Sequence, residues 1–217
     1  MLGIPASALR PRPRERGFSI IEVVIAIALI ALLLVMGLPS LGLFLDNQKI
    51  RAATDAMYGL LQQARAEAAK QNTPVEFVMF NDPIDPNDFT FINSVAPVAG
   101  GTNWAVRVPI PGTAPTTYQL ITARSGAESS GSGSASVVLV TGGAPIITFN
   151  GFGGTNGLAG TATFQFARAN PVNPDLLCKG AGGTGEIRCL NITVTTGGQI
   201  KVCDPDPSVP ANDTRHC

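Results

Sequence analysis

The sequence predicts an α+β protein: a long N-terminal helix, apolar in its first half and amphipathic in its second, packed on a β-rich head of antiparallel sheet. Three observations predict it. From Phe18 to Leu45 the only charged residue is Glu22. Residues 46–71 then repeat apolar side chains at three- and four-residue spacing, the period of one helix face. After Pro74, short β-branched runs alternate with Gly, Pro and Asn clusters, the pattern of short strands and turns. A chain of 217 residues has room for one domain plus an anchor, and its 45% hydrophobic content supplies a core.

The apolar run is the first element. A helix from Phe18 to Leu45 would rise roughly 40 Å, more than the ~30 Å hydrocarbon core of a bilayer. Arg10, Arg12, Arg14 and Arg16 precede it, with only Glu15 against them. A secretory signal has a shorter apolar region and a small-residue cleavage site after it, which this segment lacks. A plain anchor fits the length and leaves Glu22 unexplained, because a carboxylate at membrane depth is costly and normally has a partner. Pro39, flanked by Gly37 and Gly42, predicts a kink, since proline removes a helix hydrogen bond.

The stretch RGFSIIEVVIAIALIALLLVMGLPSLGLFL, from Arg16 to Leu45, resembles the class III signal of type IV pilins and of the pseudopilins of type II secretion. Gly17, Phe18 and Glu22 match that pattern position by position. The resemblance implies a leader over residues 1–17, cleavage after Gly17 by a prepilin peptidase and N-methylation of Phe18. Because cleavage precedes the apolar run, residues 18–45 stay in the mature protein as a transmembrane and filament-core helix. Cleavage also creates an amine at Phe18, one helical turn from Glu22. In this family the glutamate is thought to neutralise the terminal amine of a neighbouring subunit during assembly. Residues 1–16 are expected to be disordered before processing.

Residues 46–72 form the amphipathic second half. Ile50, Ala53, Met57, Leu60, Leu61, Ala64 and Ala68 make the apolar stripe, and Asn72-Thr73-Pro74 stops the helix. Here the sequence resembles the GspH/FimT/FimU group of minor pilins and pseudopilins. The resemblance rests on Leu61, Ala64, Arg65, Glu67, Ala68, Asn72 and Val75, on ITFNGFG from Ile147 to Gly153, and on IKVCD from Ile200 to Asp204.

In the head, residues 73–217, strands are expected at Val75–Phe80, Trp104–Val108, Tyr118–Ala123, Ser136–Thr141, Ile146–Phe149, Ala162–Arg168, Ile187–Thr195 and Gln199–Cys203. TTGG from Thr195 to Gly198 predicts a hairpin turn between the last two. Two connectors read as mobile: the Gly/Ser stretch Ser125–Ser136 and the Pro/Gly-containing Asn93–Asn103. The four cysteines, Cys178, Cys189, Cys203 and Cys217, all lie near the C-terminus; in an exported chain an even, clustered set predicts two disulfides. Three connectivities are open. Two local loops, Cys178–Cys189 and Cys203–Cys217, are preferred; pairing across the hairpin through Cys189 and Cys203 is the alternative. A loop of this size contributes about 3 kcal/mol.

The composition excludes more than it supports. His216 is the only histidine, which argues against a catalytic triad or zinc site. Asp82, Asp85 and Asp88 do not have EF-hand spacing and sit in Asp-Pro turns. The Asn191 sequon falls in an expected strand. No cofactor motif appears, and the protein is expected to be the substrate of an enzyme rather than an enzyme. Net charge is zero; removing the leader's four arginines and one glutamate leaves 11 basic against 14 acidic residues, with no general attraction for nucleic acid. Some FimT-like proteins are thought to bind DNA through a G-R-x-R tail. Gly198, Gln199, Ile200 and Lys201 depart from it at both arginines, so DNA contacts through Arg188 and Lys201 are possible but not favoured. The expected function is a minor pilin helping to initiate or cap a type IV pilus, with a minor pseudopilin of type II secretion and a DNA-uptake pilin as alternatives. The expected partners are other pilins or pseudopilins, the prepilin peptidase and the bacterial inner membrane, crossed once with the head in the periplasm.

Overall fold

The computed structural model describes residues 18–85, 87–113, 116–126, 139–141, 143–169, 176–179 and 185–217, with the side chains of residues 34–41 and 139–141 outside the description. The leader, Gly17 included, and most of the Ser125–Ser136 stretch therefore lie outside the described residues. Two compact units divide at Leu41 and Gly42.

In the first unit, helix α1, Ile20–Gln71, begins two residues after Phe18. Its described side chains up to Leu33 are all exposed. Among the described residues no helix is long and apolar enough to cross a membrane; the described part of the apolar run stops at Leu33 and resumes at Gly42. The helix assignment continues through Pro39.

In the second unit the remainder of α1 carries the core stripe. Ile50, Ala53, Met57, Leu61, Ala64 and Ala68 are fully buried, the residues that the helical period singles out. Asn72, in the left-handed region at φ 50°, ends the helix; asparagine tolerates that conformation at the position just past a helix C-terminus.

Two antiparallel sheets complete the unit. The first has the order β3-β2-β1-β5-β6, formed by β1 (Val75–Phe80), β2 (Asn103–Pro109), β3 (Tyr118–Ser125), β5 (Ile146–Phe149) and β6 (Thr155–Asn156). The second has the order β4-β7-β8-β9, formed by β4 (Leu139–Thr141), β7 (Ala162–Ala167), β8 (Leu190–Val194) and β9 (Ile200–Cys203). β1 is central and buried on both faces: Phe77 and Met79 join the α1 stripe in one cluster, while Val78 and Phe80 join Ile92 and Val95 in another. Phe77 meets Phe164 of β7 edge-on, and Trp104 of β2 meets Phe166 in the same way, so the α1 cluster holds both sheets. A 3-10 helix, Phe89–Asn93, covers the far face of the first sheet.

Three expectations need correction. The Asn93–Asn103 connector is not free chain: Val98 N–H donates to the Met79 carbonyl at 2.8 Å, Gly101 N–H to Val98, and the Trp104 indole to the Gly101 carbonyl. Its glycine is the reason it fits, because a Cβ at Gly101 would lie 2.5 Å from the Phe80 nitrogen. The strand expected over Ile187–Thr195 starts at Leu190. Ile187 instead bridges Cys178 in parallel, since a disulfide pulls the preceding segment off the ladder. The two-residue β6 was not anticipated.

Candidate functional site

Phe18 and Glu22, the two N-terminal residues that the resemblance singles out, are both exposed. Phe18 is 82% exposed, and Glu22, also exposed, stands in the first turn of α1 with its N–H on the Ser19 carbonyl. Four residues separate them in the chain, with Phe18 two residues ahead of the helix and Glu22 inside it. An acidic group in a first turn also complements the helix dipole.

Two of the stretches that resemble the GspH/FimT/FimU group, the end of α1 and Ile147–Gly153, meet in space, and the turn just before the third joins them. Arg65 of α1 donates from Nε to the Gly153 carbonyl at 2.9 Å, across 88 residues of chain. A Cβ at Gly151 would come within 2.3 Å of Asn72 Oδ1, so helix end and turn are in direct contact. Gly198, at φ 76°, completes the junction: a Cβ there would lie 1.8 Å from the Gly153 oxygen. Thr155 N–H donates to the Thr196 carbonyl at 3.0 Å, joining the first sheet to the β8–β9 turn. The turn Asn150–Gly154 is itself braced by Asn150, whose Oδ1 accepts from Phe152 N–H and Gly154 N–H and whose Nδ2 donates to Asn156. At its tip Phe152 is 97% exposed.

The cysteines pair locally. Cys178 bonds Cys189, with Cα atoms 5.4 Å apart, and Cys203 bonds Cys217, with Cα atoms 5.1 Å apart. The second bridge returns the tail to β9, where the Asp204 N–H donates to the Arg215 carbonyl. Lys201 Nζ donates to the His216 carbonyl at 2.7 Å. Arg188 Nε donates to buried Asp204 at 2.9 Å, and its backbone N–H to Asn47 of α1. Arg188 and Lys201 are thus engaged in holding the tail and helix.

A groove of about 430 Å³ opens beside α1, lined by Phe44 and Arg51 of the helix, Leu190 of β8, Val202 of β9, Arg188 and Arg215. Arg215 clamps Asp213 with Nη2 at 2.6 Å. That guanidinium, followed by the Arg215 backbone N–H, pulls the Asp213 carboxyl from the ordinary 3.8 to about 2. The folded pKa is depressed, so the pair's contribution to stability is present above pH 3.8 and is lost as pH falls through about 2. A carbon-detected NMR titration should find Asp213 ionised at pH 3; a midpoint near 4 would show that the clamp is not formed in solution.

Several ion pairs carry no sequence motif. Arg107 of β2 sits opposite Glu76 of β1 and bonds it at 2.8 Å, and Arg168 pairs with Asp46 of α1. Only alternation hinted at the first, because Glu76 shares a face with buried Val78. Asp82, Asp85 and Asp88 act as turn and cap acceptors: Asp88 caps the 3-10 helix through Thr90, Asp85 accepts from Asn87 N–H, and Asp82 from Ala96 N–H. Among the described residues no group of acidic, histidine or cysteine side chains is placed to hold a metal.

Among solved structures, two crystal forms of the type IV minor pilin FimU from Pseudomonas aeruginosa strain PAO1 are similar to this chain at 15% identity. The P21 form aligns with TM-score 0.45 over 77% of this chain and 95% of FimU. The P65 form aligns with TM-score 0.41 over 74% and 94%. No curated protein matches the chain by sequence. Residues 12–38 match the prokaryotic N-terminal methylation motif, a span that contains both Phe18 and Glu22. Residues 53–198 match the family described as Type II transport protein GspH, a span that contains the Arg65–Gly153–Gly198 junction, and with most of its length so matched the chain belongs to the GspH family of type IV pilin-like proteins.

Proposed function

We propose that this protein is a minor pilin, a structural subunit that helps to initiate or cap a type IV pilus. The observation that carries the reading is Glu22, the single charged residue of the apolar run from Phe18 to Leu45, in the first turn of α1 and four residues after Phe18. In this reading a prepilin peptidase cleaves after Gly17 and Phe18 is N-methylated. Residues 18–45 then hold the subunit in the bacterial inner membrane with the head in the periplasm. Pro39 and its flanking glycines loosen the helix where subunits pack. On entry into the filament, Glu22 pairs with the terminal amine of a neighbour, because an unpaired carboxylate in an apolar helix bundle costs several kcal/mol. The two disulfides keep the tail on the head outside the cytoplasm. The protein works by packing, and no cofactor enters.

A pseudopilin of type II secretion is the second reading, favoured by the description of the matched family. The same N-terminal chemistry serves both. DNA uptake has less support, because Arg188 and Lys201 are tied to Asp204 and His216.

The test is a deletion strain complemented with wild-type, Gly17→Asp or Glu22→Ala chain. Gly17→Asp should leave the leader attached, seen as a heavier band. Glu22→Ala should be cleaved normally yet fall at least about tenfold in sheared filaments, since losing one buried pairing of more than 1.4 kcal/mol gives that factor. Assembly of Glu22→Ala at the wild-type level would remove the carboxylate from the mechanism. Loss of surface pili with exoprotein secretion intact supports the pilus; the reverse supports the pseudopilus.

A further inference from the structure

The groove beside α1 is built where the apolar run ends. Phe44, Gln48, Arg51 and Asp55 line it from the helix, and steps of four, three and four residues put them on one helix face. Phe44 belongs to the apolar run that closes at Leu45, yet it is 56% exposed. Leu190 and Val202 continue its apolar wall, and Arg188 and Arg215 add two further guanidiniums.

The three arginines are not equivalent. Arg188 directs Nε to Asp204, and Arg215 directs Nε and Nη2 to Asp213. Those carboxylates are not part of the lining; they hold the two guanidiniums in place and offset their charges. Both Nη atoms of Arg188 and Nη1 of Arg215 remain donors with no partner among the described residues. Arg51 makes no hydrogen bond or ion pair among the described residues, so its charge is the uncompensated one. Asp55, the acidic residue of the lining, stands four residues further from the apolar run.

Position selects the ligand. With residues 18–45 in the bilayer, as proposed above, α1 leaves the hydrocarbon at Leu45, and Arg51 lies beyond it by a rise of about 9 Å. The headgroup layer on each side of a bilayer is roughly 5–8 Å deep. A helical side chain sets out toward the helix N-terminus, and the long arginine stem carries its guanidinium back into that layer. Phosphate is the anion of the layer, and guanidinium N–H groups match its oxygens. We propose that the groove binds the phosphate of an anionic phospholipid. Arg51 is its charge partner, Arg188 and Arg215 are additional donors, and Phe44, Leu190 and Val202 pack against the glycerol and upper acyl carbons. The contact seats the head on the membrane surface before the subunit enters a filament, and it rests on the membrane reading of residues 18–45.

The test embeds the full chain in phosphatidylcholine vesicles doped with phosphatidylglycerol that carries a diazirine on its headgroup. Illumination is expected to give adducts at Phe44–Asp55 and at Leu190–Val202, mapped by mass spectrometry. The second segment is decisive, since a helix that merely passes the surface would be labelled alone. A phosphatidylcholine probe with the same diazirine should label it several-fold less. Arg51→Gln, at an exposed position, should lower that labelling about tenfold, the scale of a charge-assisted hydrogen bond. Lys70→Gln, the same charge change in the last turn of α1, should leave it unchanged. The leader arginines are present in every variant and cancel in the comparison. Equal labelling by the two probes, an equal loss in Lys70→Gln, or displacement by millimolar inorganic phosphate or by a short DNA duplex would each overturn the lipid assignment. A chain that carbonate washes off the vesicles would remove the membrane reading and the lipid site together. A chain that stays embedded without selective labelling would lose the lipid site alone.

Discussion

Replacing Arg107 by alanine is expected to destabilise the head by about 3–5 kcal/mol, the cost of leaving one partner of a buried ion pair behind. Arg107 is 5% exposed. Its Nε bonds Glu76 at 2.8 Å, its Nη1 donates to the Ile92 carbonyl, and its guanidinium lies 3.7 Å from the centre of the Tyr118 ring. One side chain therefore ties β1, β2 and the 3-10 helix together on the far face of the first sheet. Its removal strands the Glu76 carboxylate beside buried Val78 and frees a buried carbonyl. Arg107→Leu with Glu76→Leu should recover most of the loss, because no charge is then left uncompensated. The chain has one tryptophan, Trp104, 1% exposed and three residues away, so its fluorescence during urea unfolding of the full chain follows the head. A loss below 1 kcal/mol for Arg107→Ala would mean that water replaces the pair at little cost.

Gly198→Ala should cost about 3 kcal/mol. The residue sits at φ 76°, which an L side chain occupies at about 1–2 kcal/mol. Its Cβ would also lie 1.8 Å from the Gly153 oxygen and 3.1 Å from Gly154 Cα, backbone atoms that can yield only by moving the turn, a further 1–3 kcal/mol or so. Gly112→Ala is the control. Gly112 has φ 80° with nothing within 4 Å of its Cβ position, so it should cost only about 1 kcal/mol. Equal losses at the two glycines would show that the close approach to Gly153 relaxes freely. A larger loss at Gly198 would identify the β8–β9 turn as a support of the Phe152 turn.

Much of this architecture was legible in the sequence, and for identifiable reasons. The α1 stripe was legible because burial on one face imposes the helical period: Ile50, Ala53, Met57, Leu60, Leu61, Ala64 and Ala68 are all buried. β1 and β5 were found at their observed limits, Val75–Phe80 and Ile146–Phe149, because β1 is an apolar run broken only by Glu76 and β5 alternates buried Ile147 and Phe149 with half-buried Ile146 and Thr148, each beside turn residues. The β8–β9 hairpin followed from Thr-Thr-Gly-Gly, whose last glycine supplies the positive φ that the turn needs. Glu22 stood out because a lone carboxylate in an apolar run has a cost that composition alone exposes. The start of β8 was misplaced by three residues, since the Cys178–Cys189 bridge and the Arg188–Asp204 pair act on that segment from outside it.

The sequence by itself determined the elements that depend on neighbours in the chain: the helix and its buried face, the central strands, the turn at Gly198 and the unusual carboxylate near the N-terminus. Tertiary structure alone decided which strands share a sheet, that β5 rather than β3 flanks β1 on its second side, and that Arg65, Gly153 and Gly198 form one junction. It also decided that Phe152 points into solvent while Arg107 is buried. The physical reason is range. Periodicity and turn chemistry act over a few residues and leave a local signature, whereas an arginine's partner 31 or 88 residues away is chosen only when the chain closes on itself and the alternatives are desolvated.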